Sequence, residues 1–157
     1  YCFHDDQTLA TKATWVFEFV CRKNLSLIYP YLDHIFKHLP EVKADGALRS
    51  MGLMCELITI AYYKEKDQAL KEQFTSTHKD IMIEQCFDWL ITQQKVACQV
   101  RAMTSLFYLG TEREWIHDEL RQLLDRGIPT GSPGYQARAK TVLKQINVFE
   151  TKLKHKD

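Results

Sequence analysis

No stretch of this 157-residue chain approaches the ~18 consecutive apolar residues of a membrane-spanning helix, so a soluble protein is expected. An excess of one charge is missing too. With 21 basic and 20 acidic residues the net charge is +1, without the basic surplus of a dedicated nucleic-acid or anionic-surface binder. The five cysteines (Cys2, Cys21, Cys55, Cys86, Cys98) are odd in number, far apart and free of any Cys-x-x-Cys pair. That pattern fits neither a disulfide framework nor a zinc ribbon, and it points to free thiols in a reducing, cytoplasmic compartment. Nucleotide-binding glycine loops, Gly-x-Ser-x-Gly and His-Glu-x-x-His are absent, so neither a cofactor nor a metal is expected. No segment alternates apolar and polar residues as a strand would, which leaves an all-α fold. The chain opens on Tyr1-Cys2-Phe3 rather than on Met, so the lack of a leader carries no weight.

What is present is one spacing written four times. In KVACQVRAMTSLFYLG, residues 95–110, Arg101-Ala102 is followed by Leu106 and Leu109, four and seven places after the small residue, on one face of a helix. Lys12-Ala13 with Phe17 and Val20, Arg49-Ser50 with Met54 and Leu57, and Arg138-Ala139 with Leu143 and Ile146 repeat it. The basic residues stand 37, 52 and 37 places apart, and the polar stretch 64–79 accounts for the longer middle interval as an insertion. A helix pair of this period cannot bury its apolar face alone, so neighbouring pairs must stack.

Local signals place the elements. Asp5 or Asp6 caps a first helix with an inward stripe of Leu9, Ala13, Val16, Phe17 and Val20, ending near Lys23. A second helix follows Ser26, with Pro30 in its first turn and Leu32, Ile35, Phe36 and Leu39 inward. Asp45 caps a helix over 47–64, and Asp80 opens one carrying Ile83, Cys86, Phe87 and Leu90. The helix 95–110 ends on Gly110 as a left-handed cap, and Thr111 with Glu114 has capping-box spacing for a helix over 115–126 closed by Gly127. Ser132-Pro133 starts the last helix, 133–150, before a basic tail, 151–157.

The repeated pairs, each with a basic residue beside its small packing residue, resemble HEAT and armadillo repeats, and the chain is similar to small bacterial HEAT-like proteins, a likeness that brings no activity. The resemblance implies a right-handed α-solenoid of about three and a half HEAT-like pairs in one domain, residues 1–157, with units near 5–40, 45–92, 95–127 and 133–150. It also implies that Lys12, Arg49, Arg101 and Arg138 bridge neighbouring units, and that second helices line a concave surface. The expected function is a non-enzymatic scaffold binding a protein or peptide through Asp33, His34, Lys37, His38, Gln85, Asp88, Arg121, Gln122 and Asp125.

HEAT-like folds include DNA glycosylases that excise alkylated bases, and the alternative reading assigns Asp88, Trp89, Trp115 and Asp118 to that chemistry. The Trp-Asp pair followed by a second Asp three places on, associated with that family, is absent in that order. Basic residues do concentrate at 135–157, where six Lys and Arg face Glu150 and Asp157, a local patch for any nucleic-acid contact. His34 and His38 have metal-ligand spacing, yet no third ligand is paired with them in sequence.

Overall fold

Residues 1–92 and 94–156 are described by the computed structural model; Asp157 of the basic tail lies outside them. Among the described residues every regular element is helical. The α-helices are α1 (Gln7–Lys23), α2 (Leu32–His38), α3 (Asp45–Thr59), α4 (Gln68–Gln73), α5 (Ser76–Ile91), α6 (Val96–Gly110), α7 (Glu114–Gly127) and α8 (Pro133–Lys154). The four helices that carry the repeated spacing, α1, α3, α6 and α8, pack side by side in chain order. Of the others, α2 packs on α5, α5 on α6, and α7 on both α6 and α8. The central helix is α6, whose Ala102, Met103, Leu106 and Leu109 are all buried. Ala102 and Ala139 are fully covered, as close approach of stacked helices requires, and Ser50 holds the same position in α3.

Leu32, Ile35, Phe36 and Leu39 are buried as their spacing predicts. The approach to α2 differs: Leu25–Tyr31 is a 3-10 helix containing Pro30, so the proline precedes the α-helix instead of opening it. In α1 Asp6 is the cap, accepting from the N–H groups of Thr8 and Leu9. Its inward face is Ala10, Thr14 and Cys21, whereas Val16 of the expected stripe is 66% exposed. Apolar residues surround this helix, with Trp15 and Phe19 also outward, so their period did not select a single face.

Stretch 64–79 is not an excursion outside the core. A π-helical turn (Ile60–Lys64) prolongs α3, and Asp67 then caps α4 by accepting from Leu70 N–H and also accepts from the Tyr29 hydroxyl at 2.9 Å. Leu70 and Phe74 are buried, with the Phe74 ring 5.8 Å from that of Phe36. Helix α5 accordingly begins at Ser76, four residues before Asp80, under a capping box of Thr75 and His78.

The caps differ in four other places. Asp45 lies in the first turn of α3 rather than capping it. Thr111 donates to Tyr108 O instead of capping α7. Gly110 is not left-handed; a Cβ there would lie 2.1 Å from the His117 ring, so the residue is small because the ring occupies that space. Gly127 gives way in the same manner to the Tyr135 hydroxyl.

Candidate functional site

The helix stack is cross-linked by charge. Arg101 on α6 and Arg138 on α8 each donate to the Glu56 carboxylate of α3 at 3.0 Å, and Arg138 also donates to Thr104. Arg101 therefore bridges neighbouring units, as expected of all four repeated bases, whereas Arg138 reaches past one unit to the same carboxylate. Glu18 of α1 accepts from Ser50 at 2.8 Å and from Arg22. Burial alone would raise the Glu18 pKa, but the Ser50 and Arg22 hydrogen bonds and the nearby Arg22 and Arg49 charges outweigh it and hold the carboxyl below its ordinary value. Lys12 and Arg49 are exposed.

The nine residues expected to meet a partner are spread over α2, α5 and α7. Asp33 is 95% exposed at its side chain, yet it accepts from His78 Nε2 at 2.6 Å. Thr75 N–H donates to His78 Nδ1 at 3.1 Å, so that nitrogen carries no proton and Nε2–H is the donor to Asp33. This histidine–carboxylate pair has the look of a catalytic dyad. Both ring nitrogens are engaged, however, and the ring is stacked on Phe36 at 5.1 Å, so it pins α5 to α2 and has no free atom with which to move a proton.

His34 and His38 lie 4.6 Å apart at their ring centroids, beneath Phe3, and His38 Nδ1 is 2.9 Å from Glu41. Among the described residues no three His, Cys, Asp or Glu side chains converge to hold a metal. Arg121 turns toward α8, donating to Glu150 at 2.8 Å and Asn147 at 3.3 Å. Lys37, Asp88, Gln122 and Asp125 are exposed, and Gln85 is half-buried.

The glycosylase residues do not assemble. Trp89 is 2% exposed and packs in the core, where it cannot stack on an extruded base. Trp115 is 50% exposed and stacks on Phe87 with centroids 5.9 Å apart. Asp118 lies 3.8 Å from Arg121.

A buried cation that sequence reasoning missed is Lys79. Its Nζ donates to both Glu112 oxygens at 2.9 and 3.0 Å and to the Tyr62 hydroxyl at 3.0 Å, and lies 4.2 Å from the centroid of the Tyr62 ring, with Tyr63 and Phe74 at 5.7 and 5.8 Å. An aromatic surround and a bidentate carboxylate compensate an ammonium held out of water. Burial first, and then Glu112, push the Tyr63 phenol well above its ordinary pKa. Only the adjacent pair Tyr62-Tyr63 could have flagged this cluster in sequence.

All five thiols are free. Burial pushes Cys21 and Cys98 up to about 12 and Cys86 well above its ordinary value, which makes them packing groups rather than nucleophiles. Two of the concavities among the described residues differ sharply in their lining. One, about 320 Å³ and almost wholly apolar, lies under the Tyr1-Cys2-Phe3 strap. The other, about 680 Å³ with mixed lining, lies where the turn into α6 meets the turn into α8. Among the described residues no helix is long and apolar enough to cross a membrane.

The chain matches no family model, no curated protein and no solved structure. Its class therefore rests on its own helices: it is an all-α protein whose repeat-bearing helices stack in chain order.

Proposed function

We propose that this chain is a cytoplasmic, non-enzymatic helical-repeat module of the HEAT type, coiled as a right-handed solenoid, that binds a protein or peptide. Its units would lie near residues 5–40, 45–92, 95–127 and 133–150. The observation that carries this reading is the shared Glu56 carboxylate, which joins basic residues placed alike in two successive units. A stack held rigid from within can present the polar side chains of its other helices at fixed spacing, and Lys37, Asp88, Gln122 and Asp125 are free to be used in that way. The burial of Trp89 weighs against the glycosylase alternative.

The test is affinity capture from the source cells with the wild type and with a combined Lys37→Glu, Asp88→Lys and Asp125→Lys variant, partners being identified by mass spectrometry. A specific partner retained by the wild type and lost by an equally stable variant is expected. Identical capture by both would refute this surface. Release of a methylated base from duplex DNA by the purified protein would replace the scaffold with the enzyme.

A further inference from the structure

The two ends of the helix stack present opposite surfaces. At the α8 end the outward side chains are polar or basic, with Lys140, Thr141, Lys144 and Gln145 exposed. At the α1 end they are largely apolar, with Leu9, Trp15, Val16 and Phe19 exposed. A stack of helices closes on a polar outer face, so α8 is finished as an end and α1 is not. Apolar side chains grouped in this way mark a surface that another molecule covers.

The outward face of α1 has the period of a pairing seam. Leu9, Lys12, Val16, Phe19 and Lys23 follow one another at alternating intervals of three and four, the stripe along which two helices coil together, and all five are exposed. The buried Ala10, Thr14 and Cys21 lie on the opposite side. Trp15 borders the seam on one flank. On the other, Val20 shares the small apolar hollow with Leu27 and Tyr31, both more than half exposed.

Charge selects the occupant. The helix begins with Asp5 and Asp6 and ends with Arg22 and Lys23. Asp6 caps the helix and Arg22 is paired with Glu18, whereas among the described residues Asp5 forms no ion pair and Lys23 meets only the Phe19 ring, 5.8 Å from its Nζ. The complementary helix is apolar along its seam, basic where it meets Asp5 and acidic where it meets Lys23. A second α1 laid antiparallel has that pattern. A parallel copy would set Asp5 on Asp5 and Lys23 on Lys23, and docking on α8 would set Lys140 and Lys144 against Lys12 and Lys23.

We propose that two copies of this chain pair through α1, antiparallel about a two-fold axis level with Thr14. Leu9 packs on the partner's Phe19, and Val16 on the aliphatic stem of the partner's Lys12, whose ammonium reaches the rim. Asp5 meets the partner's Lys23 at both ends. Such a contact uses the same patch twice and closes at two copies. A lysine within the seam fixes register at some loss of affinity, so a dimer of micromolar dissociation constant is expected. None of the nine residues assigned to the partner surface lies on α1, so the dimer and the scaffold reading can fail separately.

Sedimentation equilibrium of the purified protein, from low micromolar to submillimolar concentration, is the test. The mass should rise from 18.4 kDa to twice that value and no further. Phe19→Glu, at an exposed position, should weaken the dimer at least tenfold while the melting temperature of the dilute monomer is unchanged. Asp5→Lys and Lys23→Glu should each weaken it at least threefold, and the double variant should recover wild-type affinity, because the pair re-forms with its signs exchanged. A monomer throughout, growth beyond two copies, full affinity of Phe19→Glu, or a double variant as weak as the singles would each overturn the assignment. So would a monomer that instead binds vesicles of phosphatidylcholine and phosphatidylglycerol through this face.

Discussion

Gly110 ends α6 against the His117 ring of α7, so closely that a Cβ would lie 2.1 Å from the ring carbon. His117 is buried, with Nε2 2.8 Å from Phe107 O, and so cannot swing aside without leaving its hydrogen bond. Gly110→Ala is expected to cost about 2–3 kcal/mol, at the upper end of typical overpacking. The double variant with His117→Ala should cost less than the sum of the two single changes, since the second removes the ring the first collides with. Urea unfolding of the four proteins measures the coupling, and strict additivity would show that the ring is not the obstacle.

Glu56 is the next test. Its carboxylate is mostly buried and receives two guanidinium groups, so Glu56→Ala leaves both without their anion. A loss of about 2–4 kcal/mol is expected, as for breaking a largely desolvated pair. Lys12→Ala, at an exposed residue carrying the same repeat spacing, should fall within about 0.5 kcal/mol of wild type. Equal denaturation midpoints for the two variants would remove the clamp from the account of stability.

The stretch 64–79 reads as disposable but holds Leu70 and Phe74 in the core. Phe74→Ala should cost about 3–5 kcal/mol and Leu70→Ala about 2–5 kcal/mol. Excising a dozen residues here should abolish cooperative unfolding followed by circular dichroism, whereas loop closure alone would change stability by only about 1 kcal/mol.

Acid acts through Glu18. Its pKa is lower folded than unfolded, so the unfolded chain binds more protons near that value and stability rises with pH there. The contribution is complete above its ordinary value of 4.5 and is lost as pH drops through the folded value. The stability difference between wild type and Glu18→Gln should therefore be constant from pH 7 to about 5 and shrink below pH 4.5. A difference that stays constant to pH 3 would show the carboxylate to be unpaired in solution.

The thiols act at the other extreme. Cys21 and Cys98 are raised from 9.0 to about 12, so they stabilise fully below pH 9 and lose that contribution as pH climbs toward 12. At pH 8 an aromatic disulfide reagent should label at most Cys2 in the native protein and all five cysteines in guanidinium chloride, since Cys2 alone is not buried.

The parts of this molecule that sequence could show are those where one helix repeats a period long enough to pick a face. Leu32, Ile35, Phe36 and Leu39 did so, and the Lys/Arg-small spacing marked the four helices that stack. Leu70 and Phe74 escaped because α4 is six residues long and too short to display a period. Gly110 and Gly127 were legible as punctuation, but the reason for each is a ring from the next helix rather than a left-handed backbone. The contacts of His78 with Asp33 and of Lys79 with Glu112 join residues 45 and 33 places apart, and nothing local in the chain announces them.

In a stack whose members touch only those on either side, an event at one end decays helix by helix. Glu56 breaks that rule, because its carboxylate on α3 reaches α6 and, across it, α8. Among the described residues helix α1 is held by the Ser50–Glu18 hydrogen bond, by its packing on α3 and by the 3-10 segment Leu25–Tyr31 that follows it, with no ion pair to α6 or α8. Directional unravelling is the expected consequence: in native-state hydrogen exchange the amides of α1 should exchange by local opening, while those of α3, α6 and α8 exchange together in one event.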